Sequence, residues 1–314
     1  MIIEECPYLR PQPDTVTTLP GLLYFIWERE VIRIVKERGG EKPYTKDPVL
    51  GKYKFTNIRR RDDRVSKWII EHIIRPNEHR RDLWFILLIT RHINWPPTLQ
   101  YLIDDGILFR AAKDFDPAEF SRSVEEFKAT GVKVYCGAYM IYPTKLDAGS
   151  VKSWSIAKNI FLPALGLSDK IDDVLFSKEP TISQFVEQLA KSFGISTFMC
   201  GQVAADLTYC RQLGVALDLN SYAPIGPGSS RGLNYLLNRA PNAGWTQENF
   251  NRELIKIRNM VMRELKIKDI TLHDIQNCLC EYSKYCRAVL NEGSPKTTYQ
   301  LQRSFNYGTC SAER

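Results

Sequence analysis

Three stretches bring together side chains that can do chemistry. In the first, Gly226-Pro227-Gly228-Ser229-Ser230-Arg231-Gly232 sets glycines, hydroxyls and one arginine side by side. Glycines let the backbone approach a ligand closely, and free N–H groups at a helix start suit a phosphate or pyrophosphate, more so beside an arginine. Ser229 or Ser230 is placed to cap the helix that Leu233, Leu236 and Leu237 imply. In the second, Gly194-Ile195 leads into Phe198, Met199, Val203, Ala204 and Leu207. Such a turn can hold a DNA phosphate on its amides without reading bases. An ordinary turn and helix cap would use the same residues. The third is the helix expected over 271–290, where Asp274, Asn277, Glu281 and Tyr285 line one face. Thr271-x-x-Asp274 fits a capping box, which accounts for Asp274. No local motif accounts for Glu281.

These groups need a scaffold, and the apolar spacing supplies one made of helices. The first helix is expected over 21–38, ended by Gly39-Gly40, and residues 41–55 read as a loop. From 55 to 74 a helix would bury Ile58, Val65, Ile69 and Ile73 and turn Arg60, Asp63, Arg64 and Lys67 outward. Residues 52–81 hold ten basic side chains against four acidic ones. That is either a salt-bridged solvent face or a DNA-backbone contact in which Asp63 orients Arg60, with Tyr53, Phe55 and Trp68 as stacking surfaces. The most apolar helix, from about 81, is stopped by Pro96-Pro97, and Arg91, Asn94 and Trp95 at its C-terminal end can emerge into a cleft. An amphipathic helix follows with Asp116 as cap and Pro117 in its first turn. Residues 132–144 allow a short strand or hairpin. Two helices come next, the second started by Ser183, and later a helix over 246–266 stripes Phe250, Leu254, Ile257 and Val261.

The bulk composition narrows the function classes. With 314 residues, 44% hydrophobic and 25% charged, the chain can build one large helical domain or two packed ones. A net charge of +7 leans toward anionic partners. No apolar run is long enough to span a bilayer, and the N-terminus is not a signal peptide, so an intracellular protein of cytoplasm or nucleus is expected, away from membranes. Eight cysteines lack C-x2-C pairs and four histidines are scattered, so no metal is called for and most cysteines read as buried thiols. Acid–base work falls to Asp and Glu. The sequence contains no G-x-x-x-x-G-K-[ST] phosphate loop, no dinucleotide fingerprint, no zinc-deaminase signature and no G-x-S-x-G elbow.

Five blocks in order carry a family resemblance. They are Lys42-Pro43-Tyr44-Thr45 with Asp47-Pro48; Phe55-Thr56-Asn57-Ile58 through Arg59-Arg60-Arg61-Asp62-Asp63-Arg64; Asn94-Trp95-Pro96; Phe198-Met199, Gln202 and Asp206-Leu207 on to Gly226-Pro227-Gly228 and Arg231-Gly232-Leu233; and Leu272-His273-Asp274 through Glu281-Tyr282 with Lys284-Tyr285. Glu292-Gly293-x-Pro295-Lys296 also fits. Together they resemble the helical family of DNA base-hypermodification proteins, known as alpha-glutamyl/putrescinyl thymine pyrophosphorylases and as the helical domain attached to 5-hydroxymethyluracil DNA kinases.

The resemblance implies a mainly helical fold related to helix-hairpin-helix DNA glycosylases, with at most a short hairpin. A domain would span 21–299, one body or two lobes around a cleft, between an irregular arm at 1–20 and a tail at 300–314. It implies DNA as substrate, an extruded 5-hydroxymethylpyrimidine, and displacement of its (pyro)phosphorylated oxygen by an amine or amino acid. No cofactor is implied. Lacking the phosphate loop, the chain would act on an activated base or beside a separate kinase, and a virus-encoded origin fits. The implied proton acceptor is Asp206, Asp218 or Glu281. Asn57, Arg60, Asp63, Arg64, Gly194, Gly226, Gly228, Ser229 and Arg231 would handle phosphates, and Asn94, Trp95, Asn277, Lys284 and Tyr285 would line the pocket. Rival readings are a glycosylase-like enzyme that excises a modified base and a non-catalytic DNA-binding subunit.

Overall fold

The computed structural model describes residues 7–137 and 150–299, and these are mainly helical. Among the described residues there is no strand, only an isolated antiparallel bridge between Tyr53 and Thr298. The hairpin expected over 132–144 is absent from 132–137, and its remainder lies outside the described residues. The chain divides into two compact units, Arg61–Pro224 and the pairing of Met1–Arg60 with Ile225–Arg314.

The Arg61–Pro224 unit is organised around the helix Leu83–Ile93. All of its residues are buried, which is why its sequence shows an apolar run and no stripe. Asn94 ends it in the left-handed conformation (φ 46°), and Pro96 opens the next helix, where a missing N–H costs nothing. Asp116 caps Pro117–Ala129 as expected, accepting from the Ala118 N–H at 2.7 Å. The helix Ile182–Leu189 is started by Thr181, whose hydroxyl takes the Gln184 N–H at 3.2 Å. Ser183 lies inside the first turn, so the expected start is two residues late. Gly194 adopts φ +79°, and Ser196 then caps Thr197–Leu207 through the Met199 N–H. A β-carbon at 194 would find room, so it is the backbone angle that calls for glycine.

The other unit is built on Leu19–Glu37, Pro227–Leu236, Gln247–Glu264 and Leu272–Val289. The stripe expected on Gln247–Glu264 is the buried one: Phe250, Leu254, Ile257 and Val261. Phe25 gathers Phe55, Tyr282 and Tyr285 at ring separations of 5.7, 5.8 and 5.2 Å, joining the first helix to the last.

Two expectations fail here for physical reasons. The helix expected from residue 55 starts at Arg64, with Asp63 at its cap position. Residues 55–60 instead offer their backbone to side chains distant in sequence. Arg29 donates to the Phe55 and Thr56 carbonyls at 2.6 and 3.1 Å, Glu281 and Asp274 accept the Thr56 and Arg60 N–H groups, and Cys278 donates to the Ile58 carbonyl. Backbone groups satisfied this way need no helical ladder. Likewise, 226–232 is the expected helix start, but neither Ser229 nor Ser230 is its cap. Gly226 is the cap residue, while Ser229 sits three residues in and takes the Gly226 N–H on its hydroxyl at 3.2 Å. Gly228 and Gly232 face Leu272–Val289, where a β-carbon would collide with Cys280 Sγ and the Leu279 carbonyl oxygen respectively.

Candidate functional site

The helix Leu272–Val289 carries the best-formed polar cluster. Its first turn is the expected capping box: Thr271 takes the Asp274 N–H, and Asp274 returns the contact to the Thr271 N–H at 2.9 Å. The second oxygen of Asp274 accepts the Arg60 N–H at 2.8 Å. Burial raises the Asp274 pKa against these hydrogen bonds.

Two turns on, Glu281 is 6% exposed in its side chain and accepts from the Thr56 N–H at 3.2 Å and from Lys284. The Lys284 side chain is 46% exposed, so this ion pair has one anchored and one solvent-reaching member. Asn277 donates to the Thr56 hydroxyl at 2.9 Å on the same edge. Asn57 is half-buried and accepts from Arg29. Asn277 and Glu281 therefore converge on Thr56, and Lys284 joins them through Glu281. Tyr285 points deeper, donating to Asp47 at 2.8 Å, and burial with that carboxylate pushes its phenol pKa far up. Thr56 and Arg29 were not singled out as site residues from sequence, since what marks them is backbone pairing with partners 225 positions away for Thr56 and 26 to 27 away for Arg29.

In the same unit, Ser229 is fully buried and hydrogen-bonded to Gly226 and Gln276. Arg231 is half-buried and reaches Asn242 at 3.3 Å.

In the Arg61–Pro224 unit, Asp206 has no exposed surface and is gripped by both nitrogens of one edge of Arg91, the Nε contact being 2.5 Å. Arg91 also donates to Asn94 at 3.0 Å. Arg91 and Asn94 are thus buried at 3% and 7% exposure and do not emerge from the helix end as expected. Asp218 receives the Ile182 and Ser183 N–H groups at 2.6 and 2.9 Å, so both of its oxygens serve the start of Ile182–Leu189. Trp95 is half-buried with the Lys133 ammonium 4.7 Å above its ring, and Arg64 is an exposed first-turn residue. Among the described residues no group of three or more His, Cys, Asp or Glu is arranged to hold a metal ion, and no helix is long and apolar enough to cross a membrane. Cys200, Cys210, Cys278 and Cys286 are buried thiols, as the spacing suggested; Cys6 and Cys310 lie outside the described residues.

Two buried histidines set a pH dependence. His92 is held near pKa 4 chiefly by burial, with its Nδ1 against the Leu88 carbonyl at 2.7 Å; His273, with neither ring nitrogen hydrogen-bonded, is pushed to about 3 by burial and the nearby Arg60 charge. A base whose pKa falls on folding stays neutral in the native state while the unfolded chain takes up a proton below about 6.5. Stability is therefore full above that pH and falls as pH drops toward 4. For His92 the loss should reach about 2 kcal/mol by pH 5. Urea unfolding of the Arg61–Pro224 unit, followed at pH 7 and pH 5, checks it. His92→Gln should flatten the difference, and an unchanged slope would contradict the assignment.

The chain belongs to the family described as the helical domain of 5-hmdU DNA kinase, whose model matches residues 17–294. A relative from Bacillus phage SP10, named 5-hmdU DNA kinase, is 23% identical over 303 residues, covering 88% of this chain and 46% of its own length. The chain thus spans about half of that relative. No solved structure matches the chain. Membership links the chain to 5-hydroxymethyluracil DNA modification.

Proposed function

We propose that the chain acts on DNA containing 5-hydroxymethyluracil and exchanges the activated 5-hydroxymethyl oxygen for an amine. In this step the amine nitrogen bonds to the methylene carbon, the C–O bond to the (pyro)phosphate breaks with its electron pair, and Glu281 takes the amine proton. Lys284, whose side chain is 46% exposed and paired with Glu281, would place a positive charge beside the departing phosphate. Asn277 and Thr56 supply hydrogen-bonding groups beside it. The observation that favours Glu281 over the other candidates is occupancy: Asp206 is closed by Arg91 and Asp218 by two amides, whereas one Glu281 partner is a half-exposed side chain.

Glu281→Gln keeps the shape and removes the base. It should lower the rate of amine incorporation roughly 10²–10⁴-fold while leaving the free energy of unfolding within about 1 kcal/mol of wild type. The assay is nucleoside mass analysis of kinase-treated 5-hydroxymethyluracil DNA supplied with glutamate or putrescine. Equal rates for Glu281→Gln and wild type would move the chemistry elsewhere.

A second reading follows from coverage: because the chain matches 46% of a relative named as a kinase, it would bind and present the DNA base to kinase chemistry located elsewhere. That reading predicts tight DNA binding with no chemical change in the nucleosides. A glycosylase-like enzyme would instead leave abasic sites.

A further inference from the structure

Away from the Glu281 cluster, three segments of the same unit bring lysines and tyrosines together. The end of Leu19–Glu37 contributes Lys36, the 42–54 stretch contributes Lys42, Tyr44, Lys52, Tyr53 and Lys54, and the chain beyond Leu272–Val289 contributes Tyr299. The ammonium groups of Lys36, Lys42 and Lys54 lie 5.6, 5.7 and 5.7 Å from the centroid of the Tyr299 ring. Lys36 is also 5.7 Å from the Tyr44 ring, which meets Tyr299 edge-on at 5.6 Å, and Lys52 lies 5.2 Å from the Tyr53 ring. The cluster is fixed by backbone. Lys42 Nζ donates to the Tyr299 carbonyl at 3.0 Å, and the Lys54 N–H to the Thr297 carbonyl at 2.9 Å.

Three acids of the same stretch are engaged in other work. Glu37 pairs with Arg33 at 2.5 Å, Glu28 accepts from Thr45, and Asp47 is buried where it caps Pro48–Lys52. Glu41 is exposed. Three ammonium groups gathered at one ring concentrate positive charge, which a chain of phosphates can meet while releasing its counterions. Lys36, Lys42 and Lys52 are exposed, and Lys54, Tyr44 and Tyr53 are half-buried, so flat rings stand beside the charges. That pairing of ammonium and aromatic groups suits a nucleic-acid strand. Among the described residues no large apolar side chain in this patch is exposed, which disfavours a lipid surface.

We propose that Lys36, Lys42 and Lys54, set around Tyr299, form a docking surface for the DNA sugar–phosphate backbone, separate from the base-handling cluster. The proposal rests on the reading that DNA is the substrate. It assigns the contact to phosphates alone, so it is blind to the base.

The test is equilibrium binding of the full chain to thymine duplex and to 5-hydroxymethyluracil duplex between 50 and 200 mM salt. Lys36→Gln/Lys42→Gln/Lys54→Gln should bind both DNAs at least ~10-fold more weakly, with the slope of log K against log salt shallower by about 2–3. The matching triple arginine variant should bind like wild type. Wild-type affinity and slope in the glutamine variant would overturn the surface, as would equal loss in the arginine variant, which would show a packing role. Binding of the wild type to phosphatidylserine vesicles and not to DNA would also overturn it. If the surface behaves as stated while nucleosides stay unmodified, the docking surface stands and the transferase reading falls.

Discussion

Asp206→Asn is expected to unfold, or nearly unfold, the Arg61–Pro224 unit. The substitution leaves the Arg91 guanidinium buried at 3% exposure without its carboxylate, and truncating one partner of a buried pair costs about 3–5 kcal/mol. Natural domains hold only about 5–15 kcal/mol in all, so the loss is a large share. Removing both charges is a different experiment. Arg91→Met with Asp206→Leu leaves no buried ion, and such replacements are often neutral or stabilising. It should therefore recover most of the stability lost in the single variant. Urea unfolding of the three proteins decides it. A folded Asp206→Asn protein within about 1 kcal/mol of wild type that had lost amine incorporation would instead give Asp206 a chemical role.

The second large effect lies in the helix pair Pro227–Leu236 and Leu272–Val289. Gly232→Ala places a methyl group inside the van der Waals shell of the Leu279 carbonyl oxygen, which is backbone and cannot rotate away. The helices must separate, and overpacking of this kind typically costs about 1–3 kcal/mol, occasionally more. Gly228→Ala is milder, because its collision is with Cys280 Sγ, the end of a side chain. We expect Gly232→Ala to lose at least twice the stability that Gly228→Ala loses. Cys280→Ala should rescue Gly228→Ala and leave Gly232→Ala unchanged. Because Glu281 rides on the same helix, Gly232→Ala should also disturb the contact between Glu281 and the Thr56 N–H. Equal stability losses for the two alanine variants would show that the helices slide more freely than their packing implies.

What could be read from the sequence was what is decided locally. Thr271 with Asp274 and Asp116 with Pro117 announce their helix starts within four residues, and the Phe250–Val261 stripe declares its buried face by spacing alone. Glu281 stood out because no cap or neighbour explained it, and its partner on the helix, Lys284, lay within the recognised block. What stayed hidden depends on distant partners. Residues 55–60 look helical until Arg29, Asp274 and Glu281 take up their backbone groups. The 226–232 glycines read as a phosphate-binding helix start because close approach to a phosphate and close approach to another helix ask for the same residue. Arg91 looked like a cleft residue because its sequence neighbours, Asn94 and the prolines, end a helix; its carboxylate partner is 115 positions away.

The chain belongs to the family of the 5-hmdU DNA kinase helical domain, and under the proposed function the Glu281–Lys284 ion pair is its chemical centre. The most direct test of the account is the nucleoside composition of 5-hydroxymethyluracil DNA after kinase treatment and incubation with this protein and an amine. The expected product is a thymidine derivative carrying the amine, with release of the phosphate or pyrophosphate leaving group, formed roughly 10²–10⁴-fold more slowly with Glu281→Gln. Nucleosides unchanged by the wild-type protein, or abasic sites in their place, would contradict it.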